Sequence, residues 1–293
     1  MFDELETLRL LLREGTMTGV ATRLRITQSA VSKRIQALEN RVGKSLVLPE
    51  GRRVKLSPSG LRLLERTAPL LAELRSALQE EVAEGEGTIR LAVSESVLAS
   101  WGARALKKVL KAHPGIALEL HAHRSLGVLD RVRSGECMVG LCAGAAEDAP
   151  DLAAQLLGEE PFVLIPSHLD VKDFPKSGKI EVMTIEPGSA TWASLGPRMK
   201  RAQTRWPFRL EVTRTLQSFS CLVELARAGH GHALVPGSVA RAVGIPASAC
   251  IALPAPGLSR PVSLVARPSM LAQPLVQTFA RALTQATAQV LVV

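Results

Sequence analysis

From Thr88 to the end of the chain, short apolar runs alternate with helical stretches, and no other feature narrows the possible folds as much. "TIRLAVS" sets Ile89, Leu91 and Val93 on one side of an extended segment, and a helix is predicted over about 97–112. "IALELHAH" alternates Ile116, Leu118 and Leu120 with Ala117, Glu119 and His121. "SLGVLDRVRSG" reads as a helix closed by Gly135, and "CMVGLCAG" as a buried strand. That order demands a parallel sheet with helices on its faces, since a parallel return needs a crossover long enough for a helix. A second series runs through "PFVLIPS", "IEVMTIE", a helix after Pro187, "RLEVTRT", a helix at 217–228, "HALVP" and "PVSLVAR". The last helix, "QPLVQTFARALTQATAQV", aligns Leu275, Phe279, Leu283 and Val290. Two α/β halves are expected, with no tandem repeat of short period.

Residues 1–60 have another texture. "FDELETLRLLLREG" places Phe2, Leu5, Leu8 and Leu12 on one helical face and ends at Gly15. "TMTGVATRLR" offers Thr16 or Thr18 as an N-cap, with Val20, Ala21 and Leu24 turned inward. Thr27 caps a third helix, whose Val31, Ile35, Leu38 and Val42 recur at helical spacing until Gly43 closes it. Its opposite face carries Ser29, Ser32, Lys33 and Gln36. "LVLPEGRRVKLS" reads as a small hairpin with a basic tip. A long helix follows, opened by Ser57 and Pro58, with a stripe of Leu61, Leu64, Leu71, Leu74 and Leu78 and a bend or break expected at Pro69. This helix lacks an evident core of its own to lie on, which points to a partner subunit; "EGEG" at 84–87 reads as a hinge.

Charge sharpens the picture. The chain of 293 residues has a formal net charge of +9, which leans towards a polyanion or an anionic ligand. Between Val20 and Arg62 stand ten cations against two acids, so most of the excess lies around the third helix. The four cysteines are scattered without a CxxC, and the "HAH" and "HGH" pairs have no third ligand, so neither a disulfide framework nor a metal site is expected. The start "MFDELETLRL" is no secretory signal and no run of about twenty apolar residues occurs, so a cytoplasmic location is expected.

The stretches Thr27-Gln28-Ser29-Ala30-Val31-Ser32, Ile35-Gln36-Ala37-Leu38-Glu39 and Gly51-Arg52-Arg53-Val54-Lys55-Leu56-Ser57, followed by a long helix and two α/β halves, resemble the LysR-type transcriptional regulators. Ser29 stands where that family usually has proline, and "VLPEGRR" lacks its common Phe-x-Arg. The resemblance implies an N-terminal all-α winged helix-turn-helix over 1–57, a linker and dimerisation helix with hinge over 58–87, and an α/β effector domain over 88–293. That effector domain resembles the type 2 periplasmic-binding-protein fold, with two Rossmann-like subdomains at about 88–160 with 267–293, and 161–266. The implied function is regulation of transcription from a partly palindromic promoter site by a dimer or tetramer, with RNA polymerase a partner if the outcome is activation.

In a helix-turn-helix the second helix enters the major groove, and its first residues meet base edges. Gln28 suits adenine, Ser29 and Ser32 donate or accept, and Lys33 or Arg34 reaches guanine or phosphate. Thr16, Thr18 and Thr27 stand at helix starts suited to phosphate, and Arg52 and Arg53 at the hairpin tip would follow the flanking backbone or minor groove. Effector candidates lie just after strands, where ligands of open α/β sheets gather. They are Ser94 and Ser96, Arg124 and Ser125, Cys142, Ser189 and Thr191, and Ser218 and Phe219. Arg124 could pair with a carboxylate, whereas Glu95 argues against a simple anion site unless it points away or reads an amine. The same serines could merely cap helices.

Peroxide-sensing members of the family use a cysteine pair, but Cys137 and Cys142, expected on opposite faces of a strand, do not match that spacing and read as structural thiols. Trp101 and Trp192 are expected near the cleft. No cofactor other than a small-molecule effector is expected. No glycine-rich phosphate loop or GxSxG appears, so an α/β enzyme with a DNA-binding appendage is the weaker alternative, beside a ligand-independent architectural DNA binder.

Overall fold

The computed structural model describes residues 1–51, 53–77, 86–144, 149 and 151–288. Two compact units divide the chain, Met1–Glu81 and Val82–Val293. Leu78 of the predicted stripe, residues 84 and 85 of the predicted hinge, Val290 and Arg52 lie outside the described residues.

The first unit contains α1 (Phe2–Glu14), α2 (Met17–Leu24), α3 (Gln28–Val42), the hairpin β1 (Val47–Glu50) and β2 (Arg53–Leu56), and α4 (Pro58–Ala77). Its helix ends follow from local chemistry. Gly15 and Gly43 adopt the left-handed conformation that ends α1 and α3, at φ 63° and 70°. Thr16 and Thr27 accept from the Gly19 and Ala30 amides at 3.0 and 3.2 Å, satisfying donors that have no partner within the helix. Leu8, Leu11, Val20, Val31, Ile35, Leu38 and Leu46 form the core. Leu12 and Val42, expected inside, are exposed. The buried arc of α1 runs through Leu5, Leu8 and Leu11, so Leu12 falls at its margin, and Val42 is the last residue of α3.

The hairpin is pinned to the helices. Glu39 of α3 accepts from the Leu46 and Val47 amides at 2.7 and 3.3 Å. Ser57 donates to the Ser45 carbonyl and caps α4 through the Gly60 amide. α4 continues through Pro69, where a bend or break was expected. Leu64 and Leu71 are buried in the unit's own core, whereas Leu61, Leu70 and Leu74 are exposed. The predicted stripe is therefore divided: one side closes the core and another stays open.

The second unit begins with β3 (Gly87–Ser94), α5 (Glu95–Val97), a π-helical turn (Leu98–Gly102), α6 (Ala103–Ala112), β4 (Ile116–His123), α7 (Ser125–Arg133) and β5 (Val139–Ala143). It continues through β6 (Ala153–Ile165), β7 (Gly178–Ile185), α8 (Ala190–Ala202), β8 (Phe208–Leu216), α9 (Phe219–Arg227) and β9 (His232–Pro236). α10 (Gly237–Ala242), β10 (Ile251–Ala252), β11 (Ser259–Ala266), α11 (Pro268–Leu271) and α12 (Pro274–Ala288) complete it. The strands are linked in the order β4-β3-β5-β11-β6-β9-β7-β8, with β10 beside β6. β3 is parallel to β4 and β5, and β7 is parallel to β8 and β9, which are the two α/β halves expected from the sequence.

β6 belongs to both halves. Its Ala153–Pro161 portion pairs antiparallel with β11, and Phe162–Ile165 pairs with β9. β11, read from sequence as part of the second half, also pairs with β5, and its Val262, Leu264 and Ala266 enter the first half's core. The return to the first half therefore lies near residue 259 rather than 267. The physical reason is the antiparallel pairing of β6 with β11, which a strand's own pattern cannot announce. The second half keeps a separate core built on Phe162, Leu164, Leu195, Leu222 and Leu234.

At Gly60 an added Cβ would lie 2.3 Å from the Leu46 carbonyl oxygen. Gly60→Ala must push α4 off the hairpin at a cost of about 1–3 kcal/mol. Amide exchange in the hairpin and the first turn of α4 should accelerate roughly ten- to a hundredfold, with the second unit unchanged. Unaltered exchange in the hairpin would show that α4 does not rest on it.

Candidate functional sites

In the first unit, burial of Val31, Ile35 and Leu38 fixes which side of α3 faces out. Gln28, Ser29, Ser32, Lys33 and Gln36 are exposed on that side. Thr27, also exposed, holds the Ser29 hydroxyl at 2.9 Å, and Gln36 donates to Asn40 at 3.0 Å. Neither α2 nor α3 has an acid in its own first turn; the Glu14 carboxylate stands beside Gly19 at the start of α2, whereas the partial positive charge at the start of α3 has no acid of its own helix to offset it. Thr18 is exposed on α2, while the Thr16 hydroxyl is engaged in its cap. Arg34 turns to α1 and pairs with Asp3 at 2.9 Å. Arg53 is exposed on the hairpin next to Gly51, whose φ of 64° makes the tight turn.

In the second unit, strand ends and helix starts surround a cavity of about 290 Å³. Ser94 and Ser96 reach it from the end of β3, and Arg124 and Ser125 from the end of β4. Ser189 and Thr191 come from the start of α8, and Ser218 and Phe219 from the start of α9. These eight sequence candidates thus meet around one space. Several also hold the frame. Ser125 donates to the Ala143 carbonyl at 2.7 Å and accepts from the Ala143 amide at 3.2 Å. Ser189 and Ser218 cap α8 and α9. The two halves touch closely beside the cavity: at Gly144, with φ 100°, a Cβ would stand 2.4–2.5 Å from the backbone of Ala190 and Thr191. Arg124 from the first half forms an ion pair with Glu186 from the second.

Cys142, the ninth candidate, does not line this cavity. Alternation along β5 sends Leu141 and Ala143 into one core and Cys142 into a cluster with Ala92, Val128, Val132 and Cys137. Burial pushes its thiol up to about 12. Cys137 and Cys142, expected on opposite faces, share that cluster with no disulfide joining them. His232 accepts from the Ser167 amide at 3.0 Å against the Phe174 ring, and burial pushes its imidazole below the ordinary range. Among the described residues no group of three His, Cys, Asp or Glu side chains is placed to hold a metal. Nor, among them, is any helix long and apolar enough to cross a membrane.

Two residues that the sequence reading missed underlie the cavity: Arg260 lines it, and Glu160 is buried against Arg260. Arg260 of β11 is 1% exposed and stands opposite Glu160 of β6, also 1% exposed. The Arg260 Nε donates to Glu160 at 2.7 Å, Nη1 to Thr191 at 3.2 Å and Nη2 to Ser96 at 3.1 Å. Its guanidinium lies 5.1 Å from the centre of the Phe219 ring. Glu160 in turn accepts from Trp101 Nε1 at 3.1 Å and from the Ser238 hydroxyl. Trp101, expected near the cleft, is buried behind it. The one available signal was a charged residue beginning an otherwise apolar strand, "SRPVSLVA".

Comparison with known proteins agrees with both units. Residues 2–61 match the family model for the bacterial regulatory helix-turn-helix protein, lysR family, and residues 83–288 match the LysR substrate binding domain. A protein described as an uncharacterized HTH-type transcriptional regulator of Vibrio cholerae is 28% identical, over 98% of this chain and 96% of its own. A full-length OxyR variant from Pseudomonas aeruginosa shares the fold with a TM-score of 0.71 at 16% identity, covering 98% of this chain and 97% of its own. Full-length CbnR in complex with its target DNA aligns with a TM-score of 0.56 at 20% identity, over 98% and 99% of the two chains. With a lysR-type helix-turn-helix at its start and a LysR substrate binding domain over most of the remainder, the chain belongs to the LysR family of DNA-binding transcriptional regulators.

Proposed function

We propose that α3 lies in the major groove and that Gln28, Ser29, Ser32 and Lys33 meet base edges. The observation that carries this is the segregation of α3 into a buried apolar side and an exposed side of amide, hydroxyl and ammonium groups. Thr16, Thr18 and Thr27 at the helix starts, with Arg53 on the hairpin and Arg52 next to it in sequence, follow the phosphate backbone. Arg34, held by Asp3, borders the reading face.

The protein acts in the cytoplasm as a regulator without catalytic activity. Two copies pair through α4, whose Leu61, Leu70 and Leu74 are exposed in the single chain, and pairs of dimers form a tetramer on a partly palindromic site. An effector settles in the cavity between the two α/β halves, touching Ser94, Ser96, Arg124, Ser125, Ser189, Thr191, Ser218 and Phe219. Because Arg124–Glu186 and the Arg260 bonds join the halves around that space, a ligand there changes their preferred arrangement. Only a difference in its affinity for two quaternary states can alter DNA binding. RNA polymerase is the further partner where the outcome is activation.

Removing a base-reading group must cost affinity for the cognate site selectively. Gln28→Ala should weaken binding to the chain's own upstream site about tenfold, with much less change on a scrambled duplex, by fluorescence anisotropy. Equal losses on both duplexes would remove Gln28 from base reading. A phosphate contact behaves differently, because each one releases counterions. Arg53→Ala should lower the slope of log affinity against log salt by about 1; an unchanged slope would place the hairpin away from the backbone.

A further inference from the structure

The ionised groups around the cavity do not balance. Glu95, Arg124 and Arg260 line it. Arg260 is already matched by buried Glu160, 2.6 Å away, and Arg124 by Glu186. With these partners counted, three carboxylates face two guanidiniums and the excess is negative. Glu95 is the unmatched group: it is exposed on the cavity wall, and its side chain has no hydrogen bond or ion pair among the described residues.

The rest of the lining is polar and uncharged. Ser96, Thr191, Gln217 and Ser218 line the space. So does the start of α7, at Leu126 and Gly127, which has no side-chain cap, unlike the starts of α8 and α9. Its free N–H groups carry partial positive charge. The cavity therefore offers one full negative charge at Glu95 and a weaker positive pole at a helix start. A ligand that is only an anion finds both guanidiniums paired and an additional carboxylate repelling it.

We infer that the ligand of this cleft carries a protonated nitrogen recognised by Glu95 and an anionic or polar end directed to the start of α7, the chemistry of a small amino acid. The inference rests on the reading of the cleft as the effector site. At about 290 Å³ the space is at the lower end of small-molecule sites and fits a metabolite rather than a polymer. Glu95 also stands in the first turn of α5, where an acid favours the helix start. That role would affect stability but not which ligand is chosen, and the two are separated by measuring selectivity.

The experiment is calorimetric titration of the full chain at neutral pH with L-alanine, L-glutamine, L-lysine, succinate and inorganic phosphate. At least one of the three amino acids should bind saturably, while succinate and phosphate do not. Glu95→Gln should weaken that binding about tenfold or more, and Glu95→Asp should retain it to within a few-fold. Amino-acid binding unchanged in Glu95→Gln would overturn the inference, as would saturable binding of succinate or phosphate alone. In the latter case the cleft remains the effector site and only its charge preference is wrong. Absence of binding by all five also overturns it, while α3's role is judged separately by DNA titration.

Discussion

A guanidinium and a carboxylate buried against each other hold the second unit together. Arg260 and Glu160 are register partners at the place where β6 passes from one half's sheet to the other's. Taking two ions out of water costs several kcal/mol each, and only full hydrogen bonding offsets it. Here each Arg260 nitrogen has an acceptor and both Glu160 oxygens have donors. Those partners come from both halves: Ser96 and Trp101 from the first, Thr191 and Ser238 from the second. Arg260 thus lines the cavity, and the pair ties its two walls. A hydrophobic replacement could fill the volume, but it could not bond both walls at once.

The first unit depends on a plainer constraint. α3 must bury Val31, Ile35 and Leu38, and this leaves its small polar groups and Lys33 outside. Glu39 and Ser57 then fix the hairpin relative to α3 and α4, so that Arg53 keeps a set position with respect to α3. A rigid scaffold carrying side chains that have little to do within the fold is what recognition of a duplex requires.

Much of this was legible in the sequence because the signals are local. Helical spacing, threonine caps and terminal glycines locate α1 to α3 to within a residue or two, and apolar runs locate the parallel strands. The cleft candidates were found by a positional rule, strand ends followed by helix starts, which brought Ser94, Arg124, Ser189 and Ser218 to one cavity. The rule failed at Cys142 because adjacent residues of a strand face opposite sides. It could not reach Arg260, which approaches the cavity from the start of its strand, nor Glu160, one hundred residues away in sequence. Pairings between distant segments, β11 with β5 and Arg34 with Asp3, leave no periodic trace in either partner.

Recognition of DNA sequence by the outward side of α3 is the claim on which the functional account stands. It is tested most directly by titrating the full-length protein against a labelled duplex from its own upstream region and a scrambled duplex of equal composition, at about 150 mM salt. The account predicts a preference for the upstream duplex of about a thousandfold or more. Equal affinity for the two duplexes would contradict it, because charge alone would then explain the binding.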